Sequence, residues 1–493
     1  MRKTALLSIL TILINTLYSQ EYLTLERCRA LAIENNKRLK ISQEEMISAN
    51  EMRKATYTNL LPKLAASGGW KWNQKTLSLL ENDALLPIGS MMPDGSFGFR
   101  PEQINNLWSE IAPGVFAPLD SQGRPFDPKK EPDKIQWKDY AVLPKDAVTM
   151  KSHNTFAAGL TLTQPIFMGG KIRELYNISK NQEEIATISL DNNIQETLLE
   201  VDEAYWRVVS LMHKKELASK YVSLLEKLEN DINAMAKEGF ATKGDILKVR
   251  VKLNEAQMTL NIVENGLSLS NMALMQICGL DLDSNNIIDD TIDNSDILSL
   301  DVKSVENAID NRPEIRTLKQ FKMMSESNYK LTKGKFLPEI AIQGAYNTTN
   351  PNAYNGIQRN FDGSFSIGVM VNIPIFHFGE RGHLIKAAKA KQNVVNYRIQ
   401  EAKEKITLQI NQSSFRLNEA YKRVVMSNSN LEKADENLRF ANEAFKEGFV
   451  NTTEVMEAQT AWLSANSQLI DSKIELKLCN LYLKKALAIS IEE

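Results

Sequence analysis

The sequence predicts a mainly helical fold with a minor β component, built as two copies of one unit, from three observations. Short motifs recur at fixed spacing. Residues 164–170 read Gln-Pro-Ile-Phe-Met-Gly-Gly and 373–379 read Ile-Pro-Ile-Phe-His-Phe-Gly, and Lys-Glu-Gly-Phe stands at both 237–240 and 446–449. Pro165 to Pro374 and Gly239 to Gly448 are each 209 positions, whereas Pro62 to Pro338 is 276. The first copy therefore carries 276 − 209 = 67 extra residues between its two prolines. Residues 171–238 contain neither proline nor glycine, and 380–447 contain no proline and only Gly382. Finally, residues 364–373 alternate large apolar with small or polar side chains. A repeat of this length is a duplicated architecture, since solenoid modules repeat every ~20–50 residues.

The elements follow in order. Residues 1–19 have a basic start (Arg2, Lys3) and an apolar run to Leu17, the layout of a signal peptide cleaved after Ser19. The run is too short for a span of ~20 apolar residues. No later stretch approaches a transmembrane helix. An exported chain that crosses a membrane must then do so as β-strands, the other structure that satisfies its own backbone in lipid.

The first repeat covers 20–281. Its strands fall at about 64–73, entered at Leu61-Pro62, and 155–165, which ends at Pro165. Thr155, Ala157, Gly159, Thr161 and Thr163 share a small or polar face of the second strand. The insert at about 77–150 is rich in Pro, Gly, Asp and Trp without a sustained period, and reads as an elaborated loop. A helical hairpin at 171–281 follows. In its return arm Ile246, Leu253, Leu260, Leu267 and Leu274 recur every seven residues, with Val249, Ala256, Val263, Ser270 and Ile277 between them, a coiled-coil seam. Residues 282–302, rich in Asp and Asn, bridge to the second repeat at 303–489. That repeat has strands at about 339–347, after Pro338, and 364–374, ending at Pro374, and a hairpin at 380–489. Its helical start, Asn311-Arg312-Pro313-Glu314, places proline in the first turn.

Helices this long reach ~100 Å at ~1.5 Å per residue and must pack side by side in a bundle. The return arms are about half as long, so 23–60 and 302–336 are expected to stack as helices beside them. Four strands cannot close a barrel, as the smallest outer-membrane barrels use about eight. Three chains would pool twelve strands and leave no edge in lipid.

The formal net charge of −2 and pI near 6.3 offer no basic field to nucleic acid. Cys28, Cys278 and Cys479 are an odd count, far apart in helix-like segments, so no disulfide framework is expected. His153, His213, His377 and His383 are scattered without metal-site spacing. Gly169-Gly170-Lys171 lacks the upstream glycine and following Ser/Thr of a phosphate loop. The chain therefore reads as neither an enzyme nor a cofactor or metal carrier. A periplasmic coiled-coil adaptor or structural protein is the alternative, but it would not need a strand pair feeding each hairpin.

The Asn-x-Pro-Glu helix start, the Leu-Pro strand entry, the Pro-Ile-Phe-x-x-Gly strand exit and a turn of form Gly-x5-(Asp/Glu)-(Val/Ile)-(Leu/Met) together resemble the TolC-like outer-membrane factor (outer membrane efflux protein) family, over essentially the whole mature chain. The resemblance implies a homotrimer with a 12-stranded barrel in the outer membrane of a Gram-negative bacterium and a long periplasmic helical barrel. It also implies a role as exit duct of a tripartite efflux pump or type I secretion system, with a periplasmic adaptor and an inner-membrane pump as partners. The turns at Gly239-Phe240 and Gly448-Phe449 would be the hairpin tips at a periplasmic aperture. Asp245, Phe445, Val450, Glu454 and Glu457 would line or close that aperture, with the last two acids facing the lumen. Surface acids at a helix N-terminus would show the same spacing. Val450 stands where well-known members carry arginine, so a salt bridge from there to Asp245 cannot form. Lys243, or apolar contact of Phe445, Phe449 and Val450, would have to hold the tip closed instead.

Overall fold

The computed structural model describes residues 22–91, 97–98, 100–150, 153–283, 287–289, 308–352 and 358–490. The signal-peptide assignment at 1–19 and most of the 282–302 bridge lie outside these residues. The chain divides into a helical unit (up to Leu60, Met168–Pro338 and from Ile373 onwards) and a strand unit (Leu61–Phe167 and Glu339–Asn372).

In the helical unit, α1 (Leu25–Asn35) and α2 (Lys37–Tyr57) precede the first long helix, α3 (Lys171–Lys237), and its return arm α4 (Lys243–Cys278). In the second copy come α5 (Pro313–Gly334), α6 (Glu380–Lys446) and the return arm α7 (Thr452–Ala486). Both α3 and α6 have 67 residues. Each begins after a glycine with positive φ, Gly170 at 76° and Gly379 at 88°. Helix α3 packs with α4, α6 packs with α7, and α5 packs on both long helices. The apolar interior runs as a stripe through separate clusters rather than one globular core. On the α4 seam Val249, Leu253, Ala256 and Leu274 are buried, while Ile246, Leu260, Leu267 and Ile277 are half-buried. No helix among the described residues is long and apolar enough to cross a membrane.

The single helix expected over 23–60 is broken in two. Asn36 ends α1 and caps α2, its side-chain oxygen accepting from Arg38 N at 2.8 Å. Asparagine competes for backbone partners and so favours caps over helix interiors. Its amide also donates to Ile277 O at 2.9 Å, anchoring the break to the end of α4.

Another close approach joins Gly169 to Gly334. A Cβ on Gly334 would stand 2.4 Å from Gly169 O, and a Cβ on Gly169 would stand 2.3 Å from Gly334 O. Gly334→Ala should destabilise the helical unit by about 1–3 kcal/mol, the usual effect of forcing a methyl into filled space. Chemical denaturation followed by circular dichroism would measure it, and an unchanged midpoint would refute the contact.

The strand unit is a four-stranded sheet. Its strands are β1 (Lys63–Trp72), β2 (Asn154–Met168), β3 (Glu339–Asn350) and β4 (Asp362–Asn372), in the order β4-β3-β2-β1. The register sorts the side chains by face. Leu64, Ala66, Trp70 lie opposite Leu162, Leu160, Phe156, and Tyr346, Ile342, Ile340 lie opposite Phe365, Val369, Val371. The other face pairs Ala65, Ser67, Gly69 with Thr161, Gly159, Ala157, and Asn347, Ala345, Gln343 with Ser364, Ser366, Gly368. One face is thus strongly apolar and largely exposed, the other small and polar.

The insert is more ordered than an elaborated loop. Leu77–Ser78 pairs with Thr149–Met150, Ala84–Pro87 with Tyr140–Leu143, and Trp108–Ala112 with Val115–Pro118. Ile104, Phe126 and Ile135 form a small core with Trp137. Buried Asn106 stitches it, donating to Leu119 O (2.9 Å) and Lys134 O (3.1 Å) and accepting from Gln136 N (2.6 Å). These strands are two to five residues long, too short to show a period in the sequence.

Candidate functional site

The hairpin tips gather most of the residues singled out in the sequence. Each long helix ends in the same device. Gly239 (φ 82°) and Gly448 (φ 78°) adopt the left-handed conformation, with open space where a Cβ would stand, so backbone conformation rather than crowding requires glycine. Phe240 N donates to Met235 O at 2.9 Å, and Phe449 N donates to Ala444 O at 2.8 Å. This is the bond that closes a Schellman turn and satisfies a helix-terminal carbonyl.

The return arms start on side-chain caps. Thr242 Oγ1 accepts from Asp245 N at 3.2 Å, and Asp245 Oδ2 accepts from Thr242 N at 3.2 Å and from its hydroxyl at 2.6 Å. The reciprocal pair is a capping box. The Thr242 hydroxyl, then its backbone N–H, hold the Asp245 carboxyl below the usual carboxylate range. Its cationic neighbour is Lys248 at 3.5 Å rather than Lys243. In the second tip Asn451 accepts from Glu454 N at 3.1 Å and donates to Glu454 Oε1 at 2.9 Å. Glu454 and Glu457 are exposed, whereas Val455, Met456, Ala458 and Gln459 are buried. The three-residue spacing sets both acids on one side of α7, away from its packed face.

Phe445 is buried and Val450 half-buried in a cluster with Leu228, Ile232, Val249, Val455 and Met456. They bind the two hairpins to each other within one chain. Phe240 and Phe449 instead stand 80% and 82% exposed, so Phe449 adds nothing to that cluster. Pro62 and Pro338 immediately precede β1 and β3, and Pro374 follows β4. Pro165 lies within β2, beyond its last pair with β1, Thr163 with Lys63, where the strand needs no donor on that side.

Two features carry little sequence signal. Arg29 grips Asp202 through both carboxylate oxygens, at 2.8 and 2.6 Å, and Asp202 is 0% exposed. Buried Arg312, at the start of α5, donates to Lys485 O (2.7 Å), Gln409 Oε1 (3.1 Å) and Glu314 (2.7 Å), tying α5 to α6 and α7. A charged residue among many on amphipathic helices gives no hint of which one is buried.

Comparison with known proteins gives this geometry its context. The family model for outer membrane efflux proteins matches residues 136–280 and 304–488, one block per copy. Outer membrane efflux protein BepC of Brucella suis biovar 1 (strain 1330) is 22% identical over 335 residues, which is 67% of this chain and 72% of that protein. The crystal structure of CusC aligns with a TM-score of 0.70 at 12% identity, over 96% of this chain and 95% of that one. The Campylobacter jejuni CmeC outer membrane channel aligns with a TM-score of 0.68 at 15% identity, over 94% and 85%. The fold is thus that of channel proteins located in the outer membrane with a large periplasmic portion. Given matched blocks in both copies, the chain belongs to the outer membrane efflux protein family.

Proposed function

We propose that three copies of the chain close a 12-stranded barrel in the outer membrane and act as the exit duct of a tripartite efflux pump or type I secretion system. The duct would pass substrates delivered by an inner-membrane pump and a periplasmic adaptor. One observation carries this reading: a sheet with one exposed apolar face and unpaired outer edges on β1 and β4 among the described residues. Such edges are not tolerated in lipid, and pairing β1 of one copy with β4 of the next removes them. An adaptor-like coiled-coil protein has no use for that face. The protein extracted from outer membrane in mild detergent should have a native protein mass of about three chains, and a monomer would overturn the reading.

Within this assembly Glu454 and Glu457 would form two rings of three carboxylates at the periplasmic aperture, where acidic rings favour cations. Phe445 and Val450 would hold neighbouring hairpins together, and Asp245 would stiffen the first tip through its cap. Glu454→Gln with Glu457→Gln should lower cation-over-anion selectivity roughly severalfold in bilayer recordings. An unchanged reversal potential in a salt gradient would place these acids outside the lumen.

A further inference from the structure

Cys28 and Cys278 are 250 positions apart in the chain, and the fold sets them side by side. Both are 0% exposed, in the same apolar cluster as Leu198, Val201 and Met275. The Cys278 thiol donates to Cys28 O at 3.6 Å, which sets the Cys278 sulfur against the backbone of Cys28. The elements that carry them are tightly joined. Asn36 donates to Ile277 O at 2.9 Å, and a Cβ on Gly279 would stand 2.6 Å from Asn35 Cβ and 2.9 Å from its carbonyl.

The second copy supplies an internal comparison. The offset of 209 carries Cys278 to Leu487, and the offset of 276 carries Cys28 to Ser304. The duplicated architecture therefore does not demand cysteine at either place. The remaining cysteine, Cys479, belongs to a different cluster, with Ile406, Ile410 and Leu483.

We propose that Cys28 and Cys278 form a disulfide during export, stapling α1 to the end of α4. The proposal rests on the outer-membrane location, since a protein bound there crosses a compartment that oxidises thiols. The oxidant is a disulfide-carrying exported thiol oxidase. One cysteine thiolate attacks the oxidase disulfide, giving a mixed disulfide and releasing one oxidase thiol. The second cysteine then attacks the mixed disulfide. The Cys28–Cys278 bond forms, the second oxidase thiol leaves, and two electrons and two protons have passed to the oxidase. Exchange needs a thiolate. Exchange also needs access, and in the folded core both thiols are 0% exposed, out of reach of an oxidase. The bond therefore forms before α1 docks, and burial afterwards shields it from reduction.

The test is a thiol count on chains trapped in cells. Acid-quenched cells are alkylated in denaturant, the chain is recovered from the outer-membrane fraction, and mass spectrometry is run before and after reduction. One alkylated cysteine per chain before reduction, Cys479, and a linked Cys28–Cys278 peptide are expected. Three alkylated cysteines without reduction would overturn the proposal. Cys28→Ser should then leave Cys278 and Cys479 both alkylated, whereas a new Cys278–Cys479 link would show that the pairing is not specific. Fractionation reports separately on location, because a chain recovered away from the outer membrane removes the premise rather than the geometry.

Discussion

Lysine at Ile367 and Val369 together should keep the chain out of the outer membrane. Ile367 is the central residue of β4, and the two side chains are 73% and 65% exposed on the apolar face. A lysine facing lipid near the bilayer midplane costs about 2–4 kcal/mol, falling towards the interfaces. In the proposed trimer, two substitutions per chain would total about 12–24 kcal/mol, comparable to or above the total stability of ordinary domains, about 5–15 kcal/mol. Ser366→Lys, immediately before Ile367 and on the opposite face, should insert normally and alter conductance only. The measurement is the amount of each variant in washed outer membranes. Equal insertion of the Ile367/Val369 variant and the Ser366 variant would show that the apolar face meets protein or water instead of lipid.

Arg29→Ala should destabilise the helical unit by about 3–5 kcal/mol, the range seen when one partner of a buried ion pair is removed. The loss comes chiefly from stranding Asp202, which is 0% exposed, and less from the attraction itself. Replacing both residues with apolar side chains of similar volume should recover most of it. The pH dependence gives a second check. Burial lifts the Asp202 carboxyl above its ordinary range, and Arg29 opposes that lift. For a raised carboxyl, the stability it contributes is present below its unfolded pKa and is lost as pH rises through the folded pKa. Without Arg29 the folded value climbs further, so the deficit of the variant should shrink on acidification. Urea midpoints at neutral and mildly acidic pH would decide, and a deficit independent of pH would mean that Asp202 is not left charged.

Much of this fold was legible because its signals are long. Sixty-seven helical residues without a breaker, a seven-residue seam through Val249, Leu253 and Ala256, and alternation through Phe365, Ile367 and Val369 each accumulate evidence over many positions. The illegible parts are decided by a single residue or by partners distant in the chain. Asn36 breaks a helix through one cap and one bond to Ile277. The small core of the insert joins Ile104 to Trp137 across strands too short to show a period. Cys28 and Cys278 meet only because α1 folds onto the end of α4. At the tips, spacing placed Glu454 and Glu457 on one side of a helix. It did not distinguish buried Phe445 from exposed Phe449, because both follow the same motif and only the neighbouring hairpin separates them.

The equal length of α3 and α6 has a consequence for how such a chain can change. Adding one residue in mid-helix turns everything beyond it by about 100°, since a helix has ~3.6 residues per turn. The stripe that faces the neighbouring helix would then face away. A tolerated change must be close to whole repeats of the seam, about seven residues or ~10 Å, and must occur in both arms of a hairpin and in both copies together. The height of the helical unit is therefore quantised, like rungs on a ladder cut to match on four rails. Variation that a single copy can absorb alone is confined to the connections, which is where the 67 additional residues of the first copy are found.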